Sequence, residues 1–164
     1  MNDQSNPIRI YTYLMSTRKT GYAWQGTKPF DVPLVSQIEG NLLQGGVESG
    51  LALPFFISNV VSLYPWEEYT LEYEPNTLLR VFMHDSEDQS LDQVNSIAGW
   101  VNEMCEDGPT LVHCHSGINR ASLINARALM LRGMTAPEAI ALIRSQRSPV
   151  CLSNPAFEEW LLAQ

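Results

Sequence analysis

Apolar and polar positions along the chain fall into segments of two different periods. Ile8, Ile10, Thr12 and Leu14 alternate with Arg9, Tyr11 and Tyr13, which predicts a strand or an extended arm. Asn41 to Gln44, closed by Gly45-Gly46, predicts a short strand and turn, and residues 50–58 a short helix interrupted near Pro54. Asn59 to Leu63 is β-branched and apolar, as in a strand covered on both faces. The acidic, aromatic residues 66–76 predict a surface loop, and Leu78 to Met83 the next strand. Leu91, Val94, Ile97, Ala98, Val101, Met104 and Cys105 then keep a period near 3.6, a helix capped by Ser90 and stopped by Gly108-Pro109. Thr110-Leu111-Val112 is a short strand running into a polar loop. A second helix runs from about Arg120 to Gly133. A third opens with the capping box Thr135-x-x-Glu138, and Asn154-Pro155 starts a short last helix through Trp160. Met and Trp positions at helical spacing read as core.

Strands come first, then strand–helix units, then helices. That order predicts a sheet covered by helices, α/β or α+β. No internal repeat interrupts the 164 residues, a length that buries a full core as one domain. The readable part begins at residue 38. We therefore divide the chain into an N-terminal segment, 1–37, packed on the domain or extended, and a domain over 38–164.

Composition narrows the function. The formal net charge is −8, from 10 Lys and Arg against 18 Asp and Glu. Nucleic-acid and anionic-membrane binding both need clustered cations, so neither partner is expected. Three Cys exclude a fully paired disulfide framework. There is no Asn-x-Ser/Thr acceptor, and the N-terminus lacks a signal-peptide apolar region. The stretch Leu51 to Val61 is too short, and broken by Pro54, to span a membrane. A soluble, cytoplasmic protein is the expectation.

The candidate chemistry lies in His113-Cys114-His115-Ser116-Gly117-Ile118-Asn119-Arg120. A Cys ends a buried strand, and an Arg six positions on starts a helix. The small and polar residues between them can curl so that successive amides point inward as an anion nest. The helix N-terminus adds its positive end there, and Arg120 offers a planar fork for two oxygens of a phosphate. Cys114 in that field is expected to be a thiolate nucleophile, its pKa drawn from about 8.5 toward roughly 4–7. His115, Ser116, Gly117, Ile118, Asn119 and Arg120 would hold the substrate. A proton donor for the leaving oxygen is also needed. Asp85 directly follows a predicted strand, and one strand–helix–strand excursion brings the chain back to Cys114. That topology places both at the same end of the sheet. Asp88 is the competing candidate. His113 reads as structural, and His115 as lining the pocket mouth. No second His or Cys cluster completes a metal site with them, so no metal or cofactor is expected.

Cys114 through Arg120, after a Val-rich strand and before a helix, resembles the Cys-x5-Arg motif of the protein tyrosine phosphatase superfamily, in its small dual-specificity form. Ile38 to Gly46 resembles the family's opening strand. Met83-His84-Asp85-Ser86 followed by Leu91 resembles its general-acid loop, and Arg144 to Pro149 with Asn154-Pro155-x-Phe157 its closing segment. The resemblance covers residues 38–162. It implies an α/β fold with a central, mostly parallel sheet flanked by helices, the Cys-x5-Arg phosphatase fold, together with a phosphocysteine intermediate and the roles given above to Cys114, Arg120 and Asp85. It also implies a hydroxyl immediately after the arginine, which helps the thiolate leave. This chain has Ala121 there and Ser122 one position later, about 100° further round the helix.

No Lys or second Arg lies between Cys114 and Arg120. Residues 67–107 hold eleven acids and one base, Arg80. A polyanionic substrate would be repelled, so a phosphorylated protein or a small phosphate monoester is favoured over inositol lipids or RNA. Two rivals stand beside hydrolysis: a phosphatase-like module that grips phosphate without turnover, favoured by Ala121, and a thiol redox or sulfur-transfer enzyme. Cys105 fits the apolar stripe of its helix, and Cys151 has no role assigned by the sequence.

Overall fold

The computed structural model describes residues 13–24, 26 and 29–164. Period-two segments build a five-stranded sheet: β3 (Val35–Glu39), β4 (Leu42–Gly45), β5 (Asn59–Ser62), β6 (Thr77–Arg80) and β7 (Thr110–His113). The spatial order is β3-β4-β7-β5-β6, and all neighbours are parallel except the β3–β4 hairpin. An antiparallel pair, β1 (Arg18–Tyr22) and β2 (Pro29–Pro33), lies before it, after a four-residue helix α1 (Tyr13–Ser16).

The alternation of each strand sorts its side chains between two cores. Leu42, Val61, Leu79 and Val112 face one core, shared with α2 (Val94–Asp107), α3 (Arg120–Leu131), α4 (Ala136–Gln146) and α5 (Pro155–Leu162). Their neighbours Leu43, Val60, Leu78 and Leu111 face the other, which is closed by Leu14 of α1, Val47, Leu53, Ile57 and Tyr69. Phe30 and Val32 of β2 enter the helix-side core.

Several local expectations change. The Ile8–Leu14 alternation lies largely outside the described residues, and its last two positions, Tyr13 and Leu14, are helical. Ile38 to Gly46 is a hairpin turning at Gly40 and Asn41, not one strand. Residues 50–58 form no helix. Pro54 instead starts a turn closed by Ile57 N–H on its carbonyl at 3.0 Å, and Ala52 bridges to Thr70. The segment 66–76 is a loop, but Tyr69 is buried in it and donates its hydroxyl to Gly46 O. Ser90 does not cap α2. Val94 N–H closes a turn on Leu91 O, and the helix starts after Gln93, without a side-chain cap. Trp100, at helical spacing, is 46% exposed rather than core.

The capping signals of the last two helices hold. Thr135 Oγ1 accepts from Glu138 N–H, and the Glu138 carboxylate accepts from Thr135 N–H at 2.8 Å. Asn154 caps α5 by accepting from Ala156 N–H at 3.1 Å. Thr135→Ala leaves the first amides of α4 without that acceptor. We expect a loss of about 1 kcal/mol and a melting temperature lower by about 2–4 °C, read by thermal unfolding; an unchanged midpoint would show that the cap carries no weight.

Candidate active site

β7 ends at His113, and the loop 114–119 leads directly into α3 at Arg120. The carbonyls of residues 115–119 point away from the loop's centre, each onto a donor outside it. His115 O accepts from Val47 N–H at 3.0 Å, and Ile118 O from Leu152 N–H at 3.0 Å. Ser116 O accepts from Arg147 Nη2 at 2.9 Å. Gly117 O accepts from Arg147 Nε at 2.6 Å and Gln44 Nε2 at 2.9 Å. Asn119 O takes Leu123 N–H inside α3. None of the amides of residues 115–119 donates to a protein acceptor among the described residues. A peptide whose carbonyl is turned out presents its amide inward, so the loop has the geometry of an anion nest. Gly117 makes the reversal with φ +69°, and a Cβ there would stand 2.5 Å from Gly45 O; neither the backbone nor the space admits a side chain.

Cys114, 2% exposed, is at the base of this loop, its amide on Gly45 O at 3.3 Å. Arg120 is buried and lies over the Tyr64 ring, 5.2 Å from its centroid. Its Nη1 is anchored to Met83 O at 3.0 Å and Leu63 O at 3.5 Å, whereas its Nε is buried with no partner. An orphaned charged donor beside unpaired amides fits a tetrahedral oxyanion, which supplies several acceptors at once.

Asp85 is latched to the same loop. Its carboxylate accepts from Asn119 Nδ2 at 2.8 Å and Asn154 Nδ2 at 2.9 Å, and Trp24 Nε1 donates to its backbone carbonyl at 3.0 Å. No corresponding bond ties Asp88, which is exposed. Of the residues read as holding substrate, Ser116 is half-buried at the rim and the Ile118 side chain is in the core, leaving its amide to the nest. Asn119 is spent on Asp85, Ser153 and the Asn154 amide. His115 is at the mouth, its Nε2 3.6 Å from Glu67. Burial, with the charges of Lys19 and Arg120, lowers its pKa against the pull of Glu67. Among the described residues no group of three or more His, Cys, Asp or Glu could hold a metal.

Ser122 does not reach for Cys114. Its hydroxyl accepts from Gln44 Nε2 at 2.7 Å and bonds Cys151, so the hydroxyl near the loop serves the packing behind it. Burial pushes the Cys151 and Cys105 thiols up. Four contributors escaped the sequence reading. Arg147 and Gln44 hold the loop from behind. Buried Lys19, with Nζ on Val47 O at 2.8 Å, and Trp24 come from the segment before residue 38. Arg147 stood inside the closing segment, but nothing in its neighbours' pattern says that it points at residues 116 and 117. A separate cleft of about 550 Å³ opens at the opposite end of the sheet, between Trp100 and β6, and contains none of these residues.

The sequence matches the family described as dual specificity phosphatase, catalytic domain, over residues 54–164. Similar solved structures include human DUSP28, at 19% identity and a TM-score of 0.69, covering 78% of this chain and 93% of that one. A mouse putative dual specificity phosphatase, complexed with zinc tungstate, aligns at 18% identity and a TM-score of 0.65, over 84% of this chain and 92% of its own. The human tyrosine phosphatase-like serine/threonine/tyrosine-interacting protein aligns at 17% and 0.65, over 79% and 93%. No curated protein matches the sequence significantly. The central sheet and its flanking helices thus match the fold of a defined class, the dual specificity phosphatases. The chain belongs to the dual specificity phosphatase catalytic-domain family.

His113 underlies the loop, fully buried, with Nδ1 unpartnered and its ring edge-on to Tyr69 at 5.4 Å. Burial holds its pKa down to about 4, with Arg120 adding to the effect. A folded value below the unfolded 6.5 means that the unfolded chain binds the extra proton first. Stability is therefore complete above about pH 6.5 and is lost as the pH falls toward 4, at about 1.4 kcal/mol per unit. Denaturant titrations at pH 7 and 4.5 should show the wild type losing about 2–3 kcal/mol more than His113→Asn; equal losses would show that His113 is not the group being protonated.

Proposed function

We propose that this domain hydrolyses phosphate monoesters of proteins through a phosphocysteine intermediate, acting on phosphotyrosine and also on phosphoserine and phosphothreonine. The observation that carries the reading is the loop from Cys114 to Arg120, whose 115–119 amides find no acceptor among the described residues and whose Arg120 Nε has no partner. The amides and Arg120 would hold the three non-bridging oxygens while Cys114 Sγ attacks phosphorus and the ester P–O bond breaks. Asp85 gives its proton to the leaving oxygen. It then takes one from the water that attacks the phosphocysteine, the S–P bond breaks, and inorganic phosphate leaves. Tungstate, a tetrahedral oxyanion, is present with one of the similar structures, in keeping with an anion cradle. Residues 38–164 form the catalytic unit on this reading, and segment 1–37 completes it with Lys19 and Trp24. Three unpaired thiols suit a reducing, cytoplasmic setting, and among the described residues no helix is long and apolar enough to cross a membrane. A phosphorylated protein is the partner, with nucleic acid and polyanionic lipids disfavoured by the acidic stretch 67–107. No step calls for a cofactor.

Cys114→Ser should abolish turnover of an aryl phosphate and leave phosphate binding largely intact, because the cradle is backbone and Arg120. Asp85→Asn should slow substrates with poor leaving groups by about 10²–10⁴-fold and activated esters far less. Residual hydrolysis by the serine variant, or a larger loss in Asp88→Asn, would overturn these assignments. Phosphate binding by the wild type with no turnover would make the domain a phosphate-binding module.

With Ala121 after the arginine and Ser122 committed to Gln44 and Cys151, breakdown of the phosphocysteine should limit the rate. A missing charge-assisted hydrogen bond of about 1.5–3 kcal/mol slows that step roughly 10- to 100-fold. Stopped flow with an activated aryl phosphate should show a burst of phenol approaching one per enzyme. Ala121→Ser should raise kcat and leave kcat/KM nearly unchanged. A linear time course, with kcat falling in Ser122→Ala, would show instead that Ser122 already does this work.

A further inference from the structure

Five rings stand in mutual contact beside the loop. Tyr64 and Trp66 follow β5, Phe82 and His84 lead into Asp85, and His115 follows Cys114. Ring centroids are 4.8 Å apart for Tyr64–His115, 5.1 Å for Tyr64–Trp66, 4.6 Å for Trp66–Phe82 and 4.8 Å for Phe82–His84. The row starts under the Arg120 guanidinium and ends on the residue before the acid candidate. Aromatic rows of this kind ordinarily stabilise by being buried, yet Trp66 is 58% and Phe82 52% exposed. The apolar area they show to water adjoins the site instead of closing it.

Resting on the phosphatase reading, we propose that Trp66, Phe82 and His84 form a specificity shelf for a bulky apolar side chain flanking the phosphorylated residue of a protein substrate, with a basic residue beside it facing Glu67. Two observations select this occupant. The shelf is tethered to the cradle: Trp66 lies two ring contacts from Arg120, on the order of 10 Å, which extended chain covers in about three residues. A segment whose phosphate sits at Arg120 therefore lays its next side chains on Trp66 and Phe82. Away from the Arg120 end, the charges next to Trp66 are carboxylates, Glu67 and Glu68. Arg80 is paired with Glu68 at 2.7 Å, and among the described residues Glu67 has only the His115 ring at 3.6 Å. A flanking cation finds a partner there and a flanking carboxylate finds repulsion.

The test compares two phosphotyrosine peptides that differ only in having Leu or Gly at each of the three positions on either side of the phosphotyrosine. With wild-type enzyme, kcat/KM should favour the Leu peptide about tenfold, the gain lying in KM. Trp66→Ala and Phe82→Ala should each reduce the ratio to about two. The same ratio is measured as Kd by calorimetry with Cys114→Ser, so the shelf is judged even if nothing turns over. A ratio near one in both measurements overturns the shelf. Failure to hydrolyse either peptide or a simple aryl phosphate, with the Kd ratio intact, overturns the phosphatase reading and leaves the shelf standing. A concentration-dependent dimer in sedimentation that Trp66→Ala dissolves would assign the rings to a second copy of the chain and overturn the proposal.

Discussion

Arg147 is the cation on which the loop's shape depends. Its guanidinium is buried and reaches five acceptors: Gly117 O, Ser116 O, Pro33 O, Gln44 O and Ser36 Oγ. Burying an unpaired charge costs several kcal/mol. Here the cost is offset by acceptors alone, since no carboxylate lies within ion-pair reach among the described residues. Burial lowers the guanidinium's pKa, and the neighbouring thiols Cys151 and Cys114 oppose the shift. Two of its acceptors are the carbonyls whose rotation turns the loop's amides inward. Holding those peptides by one rigid fork orients them together, which a flexible ammonium would not do. Gln44 repeats the contact on Gly117 O and carries it on to Ser122 and Asn125.

The sheet explains why this clamp and the acid candidate meet. β4, β7, β5 and β6 run parallel, so their C-terminal ends lie together, and β7 is inserted between strands formed much earlier in the chain. Cys114 leaves the end of β7, and Asp85 follows β6 two strands away. Asn119 and Asn154 close the gap by donating to both oxygens of Asp85. The acid loop is thereby tied to the Cys loop and to the cap of α5, with Trp24 on its backbone. One small polar network sets the separation of two loops that the sheet only brings near.

What was legible in the sequence follows from how local each cause is. The strands 59–62 and 110–113 and the helices after 120 and 135 depend on residues adjacent in the chain, so pattern and spacing reveal them; between Cys114 and Arg120 the spacing shows the motif but not what holds the loop's shape. Arg147 binds residues 30 positions and more away, and a lone Arg at a helix end looks the same whether it is solvated or buried. Lys19 and Trp24 lie in a stretch without clear period, and they matter only through contacts made 28 and 61 positions along. The late start of α2 was hidden for a different reason. Ser90 is a competent cap, but Leu91 packs against the helix-side core and turns the chain before the helix begins. Trp100 misled by period: it stands within the helical stretch read as core, yet the ring is 46% exposed.

The charge distribution joins these parts. The chain is acidic overall, with 10 Lys and Arg against 18 Asp and Glu, yet Lys19, Arg120 and Arg147 are all buried around one loop without a carboxylate partner among the described residues. Positive potential is concentrated in a low-dielectric pocket, where charge interactions are strongest, and negative charge is spread over the outside. A small dianion gains fully from the interior. A polyanion gains no more there, since Lys19 and Arg147 are spent on backbone carbonyls behind the loop, and it meets the Glu67 carboxylate at the mouth. A single phosphate on an otherwise neutral or basic segment meets no such penalty. On the proposed phosphatase reading, the lack of cations between Cys114 and Arg120 and the Glu67 carboxylate at the mouth act in the same direction, toward one phosphoryl group at a time.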